Sequence, residues 1–261
     1  MKIAVCVKEI PDSSGTRRID AATGRLVREG DQVLNSFDSH AIEAALEVRE
    51  AGVVGDVHVT ALLMGPEGAT RTLQKALALG ADDAVHVTDE ALAGSDIVAT
   101  ARALAAAVKR GDYDLVIMGQ QAGDSDCWVL PGAVAELLGR PVLTQASKLE
   151  VSTDGVKIER QTEIGYERLS AALPAVVSVS DAINEPRYPS LKAIMGAKRK
   201  PFEKLGLSDL GLDAAQVGTQ GSRTAVLDTA PPPQREAGIK VEDDGTAAAQ
   251  LADFLAQKNF I

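Results

Sequence analysis

The stretch LVIMGQQAGDSDCWVLPGAVAELLG, residues 115–139, carries the pattern that decides the fold. Its apolar run stops at Gly119 and predicts a buried strand, and the apolar spacing that ends at Gly139 predicts a helix. A polar loop lies between the two. In parallel sheets, such a loop stands at the carboxyl end of its strand, where ligands bind. We therefore expect this loop to hold a ligand.

The same alternation of strand and helix fills the chain before this stretch. Short runs rich in valine predict buried strands at KIAVCVKEI (2–10), DVHVTALLMG (56–65) and DAVHVTD (83–89). Helical spacing predicts helices at SHAIEAALEVREAG (39–52), PEGATRTLQKALALG (66–80) and SDIVATARALAAAVKRG (95–111). Alternating strands and helices predict an α/β fold, with a parallel sheet that helices cover on both faces.

Beyond about residue 145 the pattern changes. Residues 147–173 alternate with a period of two around the turn Asp154–Gly155, which predicts antiparallel hairpins, and PAVVSVS (174–180) predicts another buried strand. From about Gly206 the chain has turn signals, three consecutive prolines and one short helical pattern. A tail of this kind has little apolar surface to bury on itself. We expect an extended C-terminal arm that lies on a partner, and a flexible terminus is the alternative.

Composition excludes several classes of function. A net charge of −10 with 3% aromatic residues disfavours nucleic-acid binding, which needs an excess of Lys and Arg. Cys6 and Cys127 form no CxxC pair and indicate a reducing compartment. The spacing of His40, His58 and His86 does not predict a metal site. No signal-peptide pattern and no apolar run of about 20 residues occurs, so we expect a cytoplasmic protein without direct membrane insertion.

The loop after Gly119 is the main candidate site, and an ordinary capped loop is the alternative. Gly119 and Gly123 would let the backbone approach a ligand closely, and the next helix would offer free N–H groups to a phosphate. Side-chain donors and acceptors come from Gln120, Gln121, Asp124, Ser125 and Asp126. Asp124 and Asp126 are expected to be solvated rather than an acid/base pair. GxGxxG, GxxxxGK[ST] and GxSxG patterns are absent, so the residues do not predict catalysis.

A second unusual segment is RYPSLKAIMGAKRKP (187–201), because it concentrates positive charge in an acidic protein. Leu191 stands between polar residues and prolines, and Lys192 and residues 198–200 supply cations. One hypothesis is a docking loop with an apolar anchor inside a basic collar, suited to an acidic protein partner. The alternative is a solvated basic helix that turns Leu191, Ile194 and Met195 inward.

Several motifs together resemble one family along the whole chain. They are VKEIPD, LNSFDSHAIEAALEVRE, LQKALALGADDAVHV, DLVIMGQQAGDSD and LPAVVSVSDAINEPRYPSLKAIMGAKRKP. Each is similar to a motif of the β subunit of electron-transfer flavoproteins, and the last match is long and specific. The resemblance implies a Rossmann-like parallel sheet and a heterodimer with an α subunit that carries the redox-active FAD.

The resemblance also implies a function for each part of the chain. Residues 1–205 would form an adenine-nucleotide-binding domain with a docking loop near 184–200, and residues 206–261 would form an arm and short helix on the partner subunit. The subunit would hold a structural AMP and have no substrate turnover of its own. The complex would carry electrons from acyl-CoA or related dehydrogenases to a quinone oxidoreductase.

Three alternatives stay open beside this interpretation. An electron-bifurcating member of the family would hold a second FAD in place of AMP. A nucleotide-dependent ligase or sulfurylase-like enzyme could share the α/β layout, but VKEIPDSSG lacks the SGGxDS pyrophosphate loop that such enzymes need. A homodimeric nucleotide sensor would leave the C-terminal part of the chain unexplained.

Matching the motifs residue by residue predicts the site. The cofactor-binding residues would be Cys6, Asn35, Ser36, Phe37, Asp38, Met64, Gly119, Gln120, Gln121, Ala122, Gly123, Asp124, Ser125, Asp126, Cys127, Trp128, Val129 and Leu130. Phe37 would approach the flavin of the partner subunit, and Leu191 would be the anchor that docks on dehydrogenases. The loop departs from the family where Pro131 replaces the usual glycine, because proline has no N–H to offer a phosphate.

Overall fold

The computed structural model describes residues 1–12, 17–230, 233 and 238–261. These residues form two compact units, Met1–Leu227 and Asp228–Ile261. The strands are β1 Lys2–Val7, β2 Glu9–Pro11, β3 Ile19–Asp20, β4 Arg25–Leu26, β5 Gln32–Leu34, β6 His58–Met64, β7 Asp83–Val87, β8 Leu115–Gly119, β9 Val142–Ala146, β10 Lys148–Val151, β11 Val156–Thr162, β12 Gly165–Ala171, β13 Ala175–Val179 and β14 Phe202–Leu205. The helices are α1 Ser36–Ala51, α2 Thr70–Leu79, α3 Ile97–Gly111, α4 Leu130–Leu138, α5 Leu191–Ala197, α6 Gly218–Gly221 and α7 Ala247–Gln257.

Seven strands form one parallel sheet in the order β14-β7-β6-β1-β8-β13-β9. From β1 the chain moves outward to β6 and β7, and it then returns to add β8 on the other side of β1. The strand order therefore reverses between β1 and β8, which is where ligands bind in such sheets. The predicted Rossmann-like α/β fold is confirmed.

Helices cover both faces of this sheet, because successive side chains of each strand point to opposite sides. On β1, Ile3 and Val5 pack into one apolar cluster together with residues of α1 and α2. Ala4 and Cys6 pack into a second cluster, with residues of α3 and α4. The central strands β1, β6, β8 and β13 are buried on both faces, which explains why their sequences are nearly continuous apolar runs rather than alternating ones.

The predicted antiparallel hairpins are also present. Strands β10, β11 and β12 form a separate three-stranded sheet, and the pairs β2–β5 and β3–β4 form two small ribbons. Both ribbons come from the polar segment between β1 and α1. The described part of that segment places Arg28 near the carboxyl end of β1, where its Nη1 donates to the Glu9 backbone oxygen at 3.1 Å.

The first unit extends beyond Gly206, where we expected an arm to begin. Arg102 on α3 donates to the backbone oxygen of Gln216 at 3.1 Å, and the Asp96 N–H donates to Ser222 Oγ at 2.9 Å. Residues 206–227 therefore pack on the α/β core. The second unit contains α7, on which Leu251 and Phe254 are exposed. That this unit lies on a partner subunit stays a prediction.

Within the described ranges, no helix is both long enough and apolar enough to cross a membrane.

Candidate functional site

A cavity of ≈ 400 Å³ lies over the carboxyl ends of β1, β6 and β8, where the strand order reverses. Half of the predicted cofactor-binding residues line it: Cys6, Asp38, Met64, Gly119, Gln121, Ala122, Ser125, Cys127 and Leu130. The other predicted residues surround these without lining the cavity: Asn35, Ser36, Phe37, Gln120, Gly123, Asp124, Asp126, Trp128 and Val129. The structure thus brings the four predicted parts of the chain (Cys6, 35–38, Met64 and 119–130) together at one place.

Asn35 holds the loop after β8 against the start of α1. Its Oδ1 accepts a hydrogen bond from the Gly123 N–H at 3.1 Å, and its Nδ2 donates to the Gln121 backbone oxygen at 2.9 Å. The same Nδ2 donates to Oδ1 of Asp38 at 2.9 Å. Asn35 is buried and lies behind the lining, so it shapes the cavity by fixing the loop backbone.

Asp38 is a buried carboxyl group at the cavity wall. Besides Asn35, the backbone N–H of Lys8 donates to its Oδ2 at 2.7 Å. Burial raises the pKa of Asp38 to about 7, although the hydrogen bonds from Asn35 and Lys8 act in the opposite direction. Asp38 is therefore poised to change its charge near neutral pH.

Asp124 is not solvated, contrary to the interpretation from the sequence. Its side chain is 1% exposed, and Lys8 Nζ and Arg28 Nη2 each lie 2.7 Å from one of its oxygens. Burial alone would raise the pKa of Asp124, but the hydrogen bonds and charges of these two cations outweigh burial and leave the pKa below its usual value. Asp126 is exposed, with a φ of 46°, as a turn residue would be.

Gly119 has a neighbour that the sequence did not predict. We expected its missing side chain to make room for a ligand. Instead, a Cβ atom there would lie 2.7 Å from the Phe37 Cβ and 2.6 Å from Asp38 Oδ1. The glycine lets the first turn of α1 pack against the end of β8, and its open face lines the cavity.

The sequence did not identify ten of the residues that line the cavity: Val7, Lys8, Arg28, Ser95, Asp96, Ile97, Thr100, Leu104, Met118 and Pro131. Lys8 and Arg28 form a cationic edge, and Ile97, Thr100 and Leu104 from α3 add a further wall. Lys8 lies in the motif VKEIPD, directly after β1, so its position in the sequence could have identified it as a cavity residue. Arg28 and the α3 residues reach the cavity only through the tertiary fold, and their spacing in the sequence gives no indication of this.

The cavity chemistry fits a small polar ligand with an apolar part. Gln121 lines the cavity with a polar side chain, although its Oε1 is itself buried and has no hydrogen-bond partner among the described residues. Met64, Leu104 and Met118 line the cavity and belong to one apolar cluster. Burial raises the pKa of Cys6 to about 12, and the charge of Asp38 adds to this, so its thiol is a neutral part of the wall.

The predicted docking segment presents an exposed apolar surface. Ser190 Oγ accepts from the Ala193 N–H at 3.2 Å and starts α5, so Leu191 opens a helix rather than lying in a loop. Tyr188, Leu191 and Met195 are 94%, 80% and 74% exposed. The alternative in which Leu191 and its helical neighbours turn inward is therefore wrong. We call Tyr188, Leu191, Ile194 and Met195 the α5 patch.

The basic collar around the α5 patch is smaller than expected. Lys192, Lys198 and Arg199 are exposed. Lys200 instead donates to the backbone oxygens of Leu77, at 2.9 Å, and Ala81, at the end of α2. It thus stabilises a helix terminus.

A doubly wound parallel sheet with a cavity where the strand order reverses is typical of nucleotide-binding α/β proteins. The electron transfer flavoprotein domain family matches residues 23–210. The chain is 39% identical to the electron transfer flavoprotein subunit beta of Mycobacterium leprae, over 99% of both chains. It is 38% identical to that of Megasphaera elsdenii, over 99% of this chain and 97% of the relative. It is also 35% identical, over the same shares, to the caffeyl-CoA reductase-Etf complex subunit CarD of Acetobacterium woodii. The chain belongs to the electron transfer flavoprotein family, among its β subunits.

The family assignment fixes the coarse function. The protein is one subunit of an electron carrier, its partner is an α subunit, and the complex uses flavin.

Proposed function

We propose that the chain binds AMP in the cavity as a structural ligand. With an FAD-bearing α subunit it would carry electrons from acyl-CoA or related dehydrogenases to a quinone oxidoreductase. The observation that carries the nucleotide proposal is the cavity at the reversal of the strand order, with the cations Lys8 and Arg28 among its lining residues. Ligands bind at this edge of an open parallel sheet, and cations there attract a phosphate.

The size and lining of the cavity support a mononucleotide. Small-molecule sites have volumes of about 300–1,000 Å³, and the cavity lies in the lower part of this range. Its apolar wall suits an adenine ring. Lys8 and Arg28 each use only part of their donors on Asp124, so their remaining N–H groups are available to a phosphate. Pro131 lines the cavity and has no backbone N–H to offer a phosphate. The side-chain N–H groups of Lys8 and Arg28 would take the place of that missing donor.

The side chains at the cavity support binding rather than turnover. The Cys6 thiol is neutral, and both oxygens of Asp124 are held by Lys8 and Arg28. FAD in the partner subunit would supply the electron transfer when bound. In this proposal the chain positions and shields cofactors and has no substrate of its own.

The α5 patch supports docking on a dehydrogenase. An exposed leucine beside Tyr188 and Met195 would fill an apolar pocket, and the three exposed cations would attract an acidic rim. One relative is named as part of a caffeyl-CoA reductase complex, which supports a partner that handles CoA thioesters.

The nucleotide content of the purified heterodimer tests the cofactor proposal. We expect denaturation and chromatography to release one AMP and one FAD per heterodimer. FAD contains an AMP moiety, so the same cavity could hold the adenylate part of a second FAD. Two FAD and no AMP would establish that alternative and reject the structural AMP.

A pair of variants tests whether the nucleotide lies in this cavity. Gln121→Leu replaces a polar lining side chain with an apolar one of similar size, and we expect AMP retention to weaken by about tenfold, the effect of one lost hydrogen bond. Gln120→Leu is the matched control, because Gln120 does not line the cavity. Equal AMP retention in both variants would place the nucleotide elsewhere.

A further inference from the structure

Arg187 connects the segment that carries the α5 patch to helix α1. Its Nε and Nη2 donate to the two carboxylate oxygens of Glu43, both at 2.8 Å, and its backbone N–H donates to Glu43 Oε2 at 3.1 Å. Its Nη1 donates to Glu50 Oε1 at 2.7 Å. The guanidinium group thus joins two carboxylates on α1, and the same pairing fixes the backbone at Arg187.

Asn184 makes a second connection to the same helix. Its Nδ2 donates to the backbone oxygen of His40 at 3.2 Å and to Glu47 Oε2 at 3.4 Å. The ring Nδ1 of His40 lies 3.1 Å from the Asn184 backbone oxygen. His40, Glu43, Glu47 and Glu50 follow one another at spacings of three or four residues, so they lie on one face of α1. The chain between Asn184 and Arg187 is therefore fixed along this face.

The segment between these contacts and α5 has no regular secondary structure. Residues 184–190 form neither helix nor strand, and α5 begins immediately after them. Tyr188 and Leu191 are nearly fully exposed, so they gain little orientation from packing. The side-chain bonds of Asn184 and Arg187 to α1 fix the chain that leads into α5, whereas α5 itself packs on α2 and is followed by Lys200, which bonds to the end of α2.

We propose that Arg187 is a positioning residue for docking, which fixes the chain that leads into α5, and with it Tyr188 and Leu191 of the α5 patch, by binding Glu43 and Glu50. This inference rests on the proposed docking function of the patch. A surface that is already ordered loses less conformational entropy when it binds, so a partner binds it more tightly without any new contact. Arg187 would act in this way without touching the partner.

The hydrogen-bonding geometry of Arg187 with Glu43 and Glu50 explains why an arginine is needed at this position. A planar guanidinium binds one carboxylate with two parallel hydrogen bonds and retains a further N–H for a second carboxylate, which an ammonium group cannot reproduce. Glu43 is buried, so its charge needs a close partner. The hydrogen bonds that Arg187 donates to Glu43, and then the one to Glu50, raise the pKa of Arg187, which keeps it charged at every pH of interest.

The test uses the complete heterodimer with Arg187→Gln. Arg110→Gln is the matched control, because Arg110 pairs with Glu203 at 2.8 Å on a different part of the surface. We expect Arg187→Gln to raise amide hydrogen exchange across residues 188–197 by about tenfold. We also expect it to raise the KM for an acyl-CoA dehydrogenase by about fivefold, with kcat changed less than twofold. Arg110→Gln should change neither quantity.

A double variant separates positioning from general destabilisation. Arg187→Gln alone leaves the Glu43 charge unpaired, whereas Glu43→Gln with Arg187→Gln removes both charges and should restore the melting temperature. The proposal holds if this double variant keeps the fast exchange and the raised KM. It is overturned if exchange at 188–197 returns to that of the natural protein. If Leu191→Ala leaves KM unchanged, the docking function fails, and hydrogen exchange alone decides the role of Arg187.

Discussion

Gly119 and Phe37 lie so close that a Cβ atom on the glycine would be 2.7 Å from the Cβ of Phe37. This contact places the start of α1 against the end of β8, and both elements contribute to the cavity. Gly123, in the same loop, is less crowded: a Cβ there would lie 3.5 Å from Ile10 Cδ1, which is an ordinary contact. The two glycines of the loop therefore have different roles, although the sequence suggested the same role for both.

Substituting each glycine with alanine tests this difference. We expect Gly119→Ala to lower the free energy of unfolding by about 1–3 kcal/mol, because the new methyl group displaces the first turn of α1. AMP content should fall with it. Gly123→Ala should change the free energy of unfolding by less than about 0.5 kcal/mol. Urea unfolding of both heterodimers gives the comparison, and equal losses would show that the contact with Phe37 is unimportant.

The raised pKa of Asp38 predicts how the free energy of unfolding of the protein depends on pH. Its pKa is about 7 in the folded protein and 3.8 as an ordinary carboxyl group, so the folded state holds an extra proton between these values. The free energy of unfolding should therefore fall as pH rises from about 4 to about 7, by at most about 1.4 kcal/mol per pH unit from this group. Below about pH 4, Asp38 is protonated in both the folded and the unfolded protein, and its stabilising contribution relative to high pH is then fully present.

Asp38→Asn isolates this contribution. We expect urea unfolding at pH 5 and at pH 7.5 to show a larger loss of stability in the natural protein than in the variant, because asparagine does not ionise. The comparison of slopes excludes the contributions of other groups, which both proteins share. Parallel pH profiles for the two proteins would show that Asp38 titrates at the same pH in the folded and unfolded states.

The sequence predicted those features of the fold and of the site that depend on local sequence patterns. Apolar runs such as 115–118 identified the strands of the parallel sheet, and the positions at which they stop identified the loops at the cavity. It did not predict Arg28, which reaches the cavity from the chain between β4 and β5. Nor did it predict that Lys200 stabilises the end of α2, since an exposed and a capping lysine have the same local sequence signal. Both depend on contacts between residues far apart in the chain.

Lys200 and Lys198 should therefore respond differently to removal. Lys200→Ala leaves two backbone oxygens near the end of α2 without their donor, so we expect a loss of about 1–3 kcal/mol in the free energy of unfolding. Lys198 is exposed, and Lys198→Ala should leave stability unchanged. It should instead slow association with a dehydrogenase at low salt, an effect that fades as ionic strength approaches 1 M. Stopped-flow reduction at several salt concentrations, together with melting curves, distinguishes the two variants. A salt-dependent association defect in Lys200→Ala would show that Lys200 belongs to the basic collar after all.

The variant Leu191→Ala distinguishes an effect on docking from an effect on folding most directly. Because it is 80% exposed, Leu191→Ala should not alter the melting temperature, flavin content or chemical reduction of the heterodimer. If Leu191 fills a pocket on the dehydrogenase, its truncation should weaken binding by about 2 kcal/mol or more, roughly thirtyfold. This penalty should depend only weakly on salt, since it arises from apolar contact. Val53→Ala, at a site 63% exposed after the end of α1, is the control for removing an exposed apolar side chain. Normal dehydrogenase-linked reduction by Leu191→Ala would show that the α5 patch does not dock there.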